Sequence, residues 1–251
     1  MKQSHRLNNV GLINRDKVIT FNFNGKSYQG YEGDTLASAL LANGVHLVGR
    51  SFKYHRPRGF IGAGVDEPNA KLQVTINDHS EPNINATEIE LVDGLSATSQ
   101  NCWPSVEFDI GAINNFLKRF FPAGFYYKTF MWPKSFWYKV YEPFIRKAAG
   151  LGVASLEKDK ERYEHKFEYC DLLVTGSGPS GLASAYAAAK NGAKVILAED
   201  KPRYGGTLLT DDVSIDNMSG KDWSEKIISE LKKMPNVTLK NRSQVFGYYD
   251  H

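Results

Sequence analysis

The chain has 251 residues, enough for about two domains, and its 41% hydrophobic and 24% charged residues are ordinary for a globular protein. A formal net charge of +3 is too small to indicate nucleic-acid binding, and no apolar run is long enough to span a membrane. The start has no signal-peptide pattern, and the two cysteines, Cys102 and Cys170, suggest neither a disulfide framework nor a metal site. These features predict a cytoplasmic protein.

The first hundred residues have the pattern of a β-grasp domain. An alternating apolar strand over 18–23 meets the turn signal Asn24-Gly25, and a returning strand follows over 26–31. Asp34 is placed to cap a helix whose apolar face is Leu36, Leu40 and Leu41, and further strands are predicted over 72–76 and 88–91. Hairpin, helix and further strands occur in this order in plant-type ferredoxins.

The loop after this helix, residues 49–70, lacks the cysteines that hold a [2Fe–2S] cluster in such ferredoxins. We therefore expect no iron–sulfur cluster. The loop is basic instead, and two interpretations stay open: an anion or cofactor phosphate is bound, or the loop is a structural element bonded to a neighbouring domain or subunit. Its basic residues are Arg50, Lys53, His55, Arg56 and Arg58.

Residues 116–144 form an aromatic segment in which thirteen of the 29 residues are Phe, Tyr or Trp. Stacking on nucleic-acid bases and binding to a membrane surface are two possible functions. Pro122, Pro133 and Pro143 interrupt any long amphipathic helix, which weakens the membrane interpretation. We favour a large apolar surface that is buried against another domain or subunit.

A dinucleotide-binding motif follows the charged linker over 157–166. A buried strand over 172–175 leads into Gly176, Gly178 and Gly181, spaced G-x-G-x-x-G, and an alanine-rich helix continues to about Asn191. The first glycine permits a tight turn, the second the approach of a pyrophosphate, and the third close packing of helix on strand. The free N–H groups of the helix start then favour the phosphates.

The acid Glu199 ends the second strand of this unit, where it can accept hydrogen bonds from an adenosine ribose. An acid here favours NAD or FAD over NADP, although Arg203 lies close by. The glycine pair that follows is common beside the adenosine or flavin of two-dinucleotide flavoproteins, but it could also be a plain loop. The predicted cofactor-binding residues are Gly176, Gly178, Pro179, Ser180, Gly181, Glu199, Asp200, Gly205, Gly206 and Thr207.

The domain organisation follows from these segments. We predict a cluster-free β-grasp domain over 1–100, an aromatic connecting segment over 101–165, and a Rossmann-type FAD/NAD(P)-binding domain over 166–251. After Glu199 the pattern gives a helix over 223–233 and strands over 237–240 and 244–249. Because a doubly wound sheet needs more strands, we expect the chain to be the first part of a longer protein.

The motifs RSFKYHRPRG and EPN, the aromatic GFYYKTFMWP and the glycine motif together resemble the alpha subunit of heterotetrameric sarcosine oxidase. The resemblance extends from about Leu7 to His251. It implies NAD bound at Gly176, Gly178, Gly181 and Glu199, with FAD possible at the same motif. It also implies flavins and tetrahydrofolate elsewhere in a complex with the rest of the alpha subunit and the beta, gamma and delta subunits.

That complex converts sarcosine to glycine, hydrogen peroxide and methylene-tetrahydrofolate, so the resemblance implies an oxidase component that is inactive by itself. No residue here is a candidate for the catalytic oxidation or for binding a metal. Two alternatives remain: part of a related amino-acid or opine dehydrogenase or cyanide-forming glycine oxidase, or a nonenzymatic nucleotide-binding module.

Overall fold

The computed structural model describes residues 3–120, 132–158 and 166–247, which form parts of two compact units, 1–162 and 163–251. The three-part division predicted from the sequence stays a prediction. Within the described ranges no helix is long and apolar enough to cross a lipid bilayer.

The first unit is built on a five-stranded mixed sheet. Its strands are β1 (Asn14–Phe23), β2 (Lys26–Glu32), β5 (Lys71–Ile76), β6 (His79–Asn85) and β7 (Ser96–Ser99), in the order β2-β1-β7-β5-β6. β1 and β7 run parallel, whereas the other neighbouring pairs are antiparallel. The helix α1 (Leu36–Ala42) contributes Leu36 and Leu40 to the core with Phe21, Phe23 and Leu72. This is the predicted β-grasp arrangement.

The start of α1 differs from its prediction. Thr35 caps the helix by accepting a hydrogen bond from the backbone N–H of Ser38 at 3.2 Å. Asp34 is buried one residue earlier, where it pairs with Arg6 at 2.7 Å. Leu41, predicted on the apolar face, is 36% exposed.

The predicted strand over 88–91 is wrong. Only one isolated bridge forms there, between Glu90 and Thr35. The backbone N–H of Leu91 donates to the carbonyl of Asp34, and the backbone N–H of Leu36 donates to the carbonyl of Ile89. Residues 88–91 therefore bind to the start of α1 instead of joining the sheet.

Short elements lie between α1 and β5 and after β7. β3 (Gly49–Arg50) and β4 (Pro57–Arg58) form a small antiparallel ladder in the basic loop. The helix α2 (Ile113–Phe116) ends at the first residue of the aromatic segment. A π-helical turn covers Trp137–Tyr141 within that segment, and α3 (Glu142–Ala148) begins in it and continues past its end. Residues 121–131 of that segment and residues 159–165 of the charged linker lie outside the described residues.

The second unit alternates strands and helices: β8 (Leu172–Thr175), α4 (Pro179–Lys190), β9 (Val195–Ala198), α5 (Gly220–Leu231) and β12 (Val237–Lys240). The small hairpin of β10 (Ser214–Ile215) and β11 (Met218–Ser219) comes before α5. The strands β8, β9 and β12 form a parallel sheet in the order β12-β9-β8. The core contains Leu182, Leu197, Trp223, Ile227 and Leu231. A strand order of 3-2-1 is that of one half of a Rossmann fold.

The predicted strand over 244–249 does not form in its described part, residues 244–247. The chain leaves the sheet directly after β12 because Arg242 adopts a left-handed backbone conformation with φ of 48°. Asn241 fixes this exit by donating from Nδ2 to the carbonyl of Pro202 at 2.8 Å. Residues 248–251 lie outside the described part of the chain.

Candidate functional site

The glycine loop lies between β8 and α4 and has the geometry that an approaching pyrophosphate needs. Gly176 has φ of +88°, a conformation that side chains disfavour. A Cβ atom on Gly181 would lie 2.1 Å from the carbonyl oxygen of Gly176, so the helix packs on the loop without room for a side chain. A Cβ atom on Gly178 would meet nothing within 4 Å. The backbone there faces open space.

The helix α4 begins at this open face. Gly178 is its N-cap, Pro179 is its first residue, and no side chain caps the helix. Ser180 is exposed in the first turn. The unpaired N–H groups and the positive end of the helix dipole therefore stay available for an anion.

Glu199 follows β9 directly and turns toward the glycine loop. Its side chain is only 4% exposed, and its Oε2 accepts hydrogen bonds from both the backbone N–H, at 2.8 Å, and the hydroxyl of Ser177. Its Oε1 accepts from the backbone N–H of Lys201 at 3.1 Å. A carboxylate can accept about four hydrogen bonds, so these three donors leave room for a ribose hydroxyl.

Ser177 connects three parts of the site, although no sequence pattern singled it out. Its side chain is fully buried, and its Oγ also accepts from the backbone N–H of Gly205 at 3.0 Å. Ser177 is therefore bonded to the strand-end acid and to the downstream glycine pair at the same time. The glycine motif places no requirement on the residue between its first two glycines, so the pattern alone gave no reason to choose it.

The glycine pair 205–206 packs directly against the glycine loop. Both residues have positive φ, and a Cβ atom on Gly206 would lie 3.0 Å from the Cα of Gly178. Thr207 is exposed in the short 3-10 turn Gly206–Leu209 that follows. The close contact favours a role for the pair in the site over the plain-loop alternative.

Asp200, unlike its buried neighbour Glu199, has 58% of its side chain exposed and pairs with Lys201 at 3.2 Å. Burial would raise the pKa of Asp200, but its side-chain hydrogen bonds and the Lys201 charge hold that pKa below its ordinary value. Burial, and secondarily the charge of Glu199, raises the pKa of the Tyr204 hydroxyl. Asp200 thus carries a negative charge at this end of the sheet, near the phenol of Tyr204.

The basic loop of the first unit is bonded to the segment that follows the sheet. Arg50 donates from Nε to the carbonyl of Val106 at 2.8 Å and from Nη2 to that of Glu107 at 3.0 Å. Arg56 donates from Nε to Oδ1 of Asn115 at 2.9 Å. These contacts support the structural interpretation for both arginines.

His55 completes this connection by pairing with Asp109. Their Nδ1 and Oδ2 atoms are 2.6 Å apart, and the Asp109 side chain is 1% exposed. Asp109 Oδ1 also accepts from the backbone N–H groups of Trp103 and Gly111, at 3.1 and 3.0 Å. Hydrogen bonds thus stabilise this loop, which is at the position of the loop that holds the cluster in plant-type ferredoxins.

Glu67 is the first residue of the EPN motif at residues 67–69, where it has a structural role. It is 1% exposed, and its carboxylate accepts from the backbone N–H groups of Ile61 and Gly62, both at 2.6 Å, and of Asn69 at 2.7 Å. Burial alone would raise the pKa of Glu67, but these backbone hydrogen bonds outweigh it and hold the pKa below its ordinary value. Glu67 therefore orders the residues around it as a buried anion.

Cysteine and metal chemistry have little support in the described residues. Cys102 and Cys170 are free thiols in different units, and burial raises the pKa of Cys102. Within residues 3–120, 132–158 and 166–247, no three His, Cys, Asp or Glu side chains are grouped as metal ligands. That no cluster is bound stays a prediction.

Comparison with protein families supports both parts of the fold. Residues 16–102 match the family described as a 2Fe-2S iron-sulfur cluster binding domain, and residues 171–241 match the FAD dependent oxidoreductase family. L-proline dehydrogenase from P. horikoshii has a similar fold, with a TM-score of 0.50 and 19% identity over 91% of this chain and 34% of that one. The predicted fold class, β-grasp followed by a Rossmann-type domain, is confirmed.

Curated relatives are similar along almost the whole chain. The alpha subunit of sarcosine oxidase from Rhizobium meliloti is 54% identical over 98% of this chain and 25% of its own length. The Corynebacterium sp. (strain U-96) alpha subunit is 32% identical over 95% of this chain and 20% of its own length. An opine oxidase component from Agrobacterium tumefaciens is 33% identical over 32% of this chain and 17% of its own length.

The resemblance found in the sequence is thereby confirmed, as is the assignment to oxidoreductase subunits. The chain spans about a quarter of the length of the first of these relatives. The FAD dependent oxidoreductase match supports a flavin-type dinucleotide fold in the second unit, but it does not distinguish NAD from FAD.

Proposed function

We propose that this homologue of sarcosine oxidase alpha subunits forms the dinucleotide-binding part of a flavin-dependent sarcosine oxidase. The whole assembly would convert sarcosine to glycine, hydrogen peroxide and methylene-tetrahydrofolate in the cytoplasm. This chain would bind NAD in its second unit and contribute to subunit assembly through its first. The proposal rests on the 54% identity to the Rhizobium meliloti protein together with the geometry of the glycine loop.

Different residues of the second unit would bind different parts of the dinucleotide. The open backbone at Gly178 and the uncapped start of α4 would receive the pyrophosphate, and Glu199 would accept from a ribose hydroxyl. Gly205 and Gly206 would lie along the adenosine. In this proposal the flavin that oxidises the amine is carried elsewhere in the assembly, so this chain positions a nucleotide and supplies no group to the reacting carbon.

The acids at the end of β9 favour NAD over NADP. A 2′-phosphate at the ribose would approach the carboxylates of Glu199 and Asp200, and the depressed pKa of Asp200 keeps that group ionised at neutral pH. Repulsion between like charges a few ångströms apart would weaken NADP binding by about 1–3 kcal/mol at the effective dielectric of a protein site.

Calorimetric titration of the purified protein with NAD, NADP and FAD tests the nucleotide assignment. We expect NAD to bind more tightly than NADP, and Glu199→Gln to reduce the difference. Equal dissociation constants for NAD and NADP would contradict this assignment. Release of FAD rather than NAD from denatured protein would instead identify FAD as the resident of this motif.

The substrate is tested on the complete assembly. Peroxide formation is measured with sarcosine and with an opine, each in the presence and absence of tetrahydrofolate. Oxidation of the opine in preference to sarcosine would favour the relationship to opine oxidase, which the similarity over 85 residues already suggests. If neither sarcosine nor the opine is oxidised, the alternative of a nonenzymatic nucleotide-binding module remains.

A further inference from the structure

The exit of the chain from β12, residues 241–243, lies beside the loop that carries Glu199. β9 and β12 are neighbouring parallel strands, and their ladder ends with Ala198 opposite Lys240. Because the carboxyl ends of parallel strands meet at one edge of a sheet, the residues that follow both strands reach the same place. In the proposed nucleotide site, that edge receives the ribose.

Three hydrogen bonds join this exit to the loop over 199–202, and each residue of the exit donates one. Nδ2 of Asn241 donates to the carbonyl of Pro202 at 2.8 Å, the backbone N–H of Arg242 to that of Lys201 at 3.1 Å, and the backbone N–H of Ser243 to that of Glu199 at 2.9 Å. The exit is itself a bonded turn, because Oγ of Ser243 donates to the carbonyl of Asn241 at 3.0 Å. The exit therefore holds the loop along most of its length.

The two oxygens of the Glu199 carboxylate are held from different sides. Oε2 accepts two hydrogen bonds from Ser177, which lies in the glycine loop. Oε1 accepts from the backbone N–H of Lys201 at 3.1 Å, and the carbonyl of the same Lys201 accepts from the exit. The exit therefore determines where the donor to Oε1 lies, whereas Ser177 determines where Oε2 lies.

We propose that Asn241 is a positioning residue for the ribose of the dinucleotide and determines how strongly the ribose 2′-hydroxyl is recognised. This role depends on the nucleotide site proposed above for the second unit. Asn241 holds the loop at Pro202, so that the N–H of Lys201 stays on Oε1 and the remaining acceptor positions of the carboxylate stay directed at the ribose. Without this side-chain bond, only the two backbone bonds of the exit hold the loop, and Oε1 loses part of its support.

The same strand offers a matched control at its other end. Asn236 directly precedes β12, and its Nδ2 donates to the backbone carbonyls of Ala189 and Ala193 at 2.9 and 2.7 Å. Its amide therefore also holds a neighbouring backbone, but at the amino end of the parallel strands. The glycine loop and Glu199 lie at the carboxyl end, so the contacts of Asn236 do not reach the carboxylate.

Titration calorimetry with NAD and with its analogue that lacks the 2′-hydroxyl of the adenosine ribose tests this role. The full chain is used, purified with whatever subunits keep it in solution. We expect wild type to prefer NAD by about tenfold or more, since the analogue loses a hydrogen bond to a charged acceptor. Asn241→Ala and Asn241→Asp, which cannot donate to Pro202, should each reduce this preference by about threefold or more. Asn236→Ala should keep the preference of wild type.

The ratio of the two dissociation constants separates positioning from a merely structural role, which would weaken both nucleotides equally and leave the ratio unchanged. Thermal unfolding shows that each variant is folded. An unchanged ratio in the Asn241 variants, or an equal loss of preference in Asn236→Ala, would overturn the proposal. Equal binding of NAD and the analogue by wild type would also overturn it, although nucleotide binding would then stand. Wild type that binds neither compound would overturn the proposed nucleotide site as well.

Discussion

Ser177 and Glu199 are joined by two hydrogen bonds that both end on Oε2 of the carboxylate, one from the backbone N–H and one from the hydroxyl. The two residues lie 22 positions apart in the sequence, at the ends of neighbouring parallel strands. The pair fixes the acid against the glycine loop. The carboxylate that would contact the ribose is thus oriented by the loop that would contact the pyrophosphate.

We expect Ser177→Ala to destabilise the second unit by about 1–3 kcal/mol, because the buried N–H of Gly205 loses its acceptor. Affinity for NAD should also fall, since the acid and the glycine pair are no longer connected. Chemical denaturation and calorimetry measure the two effects. Ser180→Ala is the control, because Ser180 is exposed in the next turn and its loss should change stability by less than about 0.5 kcal/mol. Equal stability of the two variants would contradict the role of Ser177.

The glycine motif was predictable because each of its glycines meets a requirement of the backbone. The acid was predictable because it ends the second strand of the same motif. Left-handed φ at Gly176 and the close approach at Gly181 each exclude a side chain, and that exclusion is visible in the sequence. The role of Ser177 was not predictable, since it depends on which strands become neighbours and where their side chains meet. A pattern along the chain contains no such information.

Gly178 and Gly181 should respond differently to the same substitution. Gly178→Val should abolish dinucleotide binding and leave the unit folded, because its Cβ enters open space that the pyrophosphate needs. Gly181→Val should abolish binding and also lower stability, because its Cβ would lie 2.1 Å from the carbonyl oxygen of Gly176. Thermal unfolding and nucleotide content of the purified variants measure both effects. Dinucleotide retained by Gly178→Val would show that the loop has another role.

The β-grasp unit shows where sequence patterns are weaker. The hairpin of β1 and β2 was predicted because alternating apolar residues flank Asn24-Gly25. β6 was missed because its sequence, HSEPNIN, contains one aliphatic residue and a proline. The apolar residues near Leu91 suggested a strand, yet they fill the space beside the start of α1. A buried segment that pairs with no strand cannot be distinguished from a strand by its apolar content alone.

Glu67→Gln should destabilise the first unit by about 2–3 kcal/mol at neutral pH, because an amide NH₂ would face a backbone donor in place of a charged acceptor. The folded-state pKa of Glu67 lies below its ordinary value. Its stabilisation is therefore present above the unfolded pKa, about 4.3, and is lost as the pH falls through the folded value. Denaturation of both proteins as a function of pH measures this.

The difference between the two proteins should consequently shrink as the solution is made more acidic than about pH 4. Asp66→Asn is the matched control, since Asp66 is the exposed neighbour of Glu67, and it should change stability little at any pH. A difference between wild type and Glu67→Gln that stays constant down to about pH 2 would contradict an ionised Glu67 in the folded protein.

The aromatic segment and the residues before it expose large apolar side chains. Trp103 is 68% exposed, Phe116 86%, Phe120 77%, Trp132 82% and Tyr138 83%. Single exposed apolar residues are common, but so many within about forty residues of the chain are typical of a surface that contacts another protein or domain. This observation supports the proposed role in assembly with other parts of the oxidase.

We therefore expect the 251-residue chain, expressed alone, to associate and to show no sarcosine oxidase activity. Apolar surface without its partner drives association, and the described part of the chain offers no residue placed to oxidise an amine. Co-expression with the flavin-bearing subunit and the rest of an alpha subunit should restore a defined complex that produces peroxide from sarcosine. Gel filtration and a peroxide assay, with and without those partners, measure both properties. A monodisperse monomer would contradict the assembly surface, and peroxide formation by that monomer would show that this chain itself contains the oxidising site.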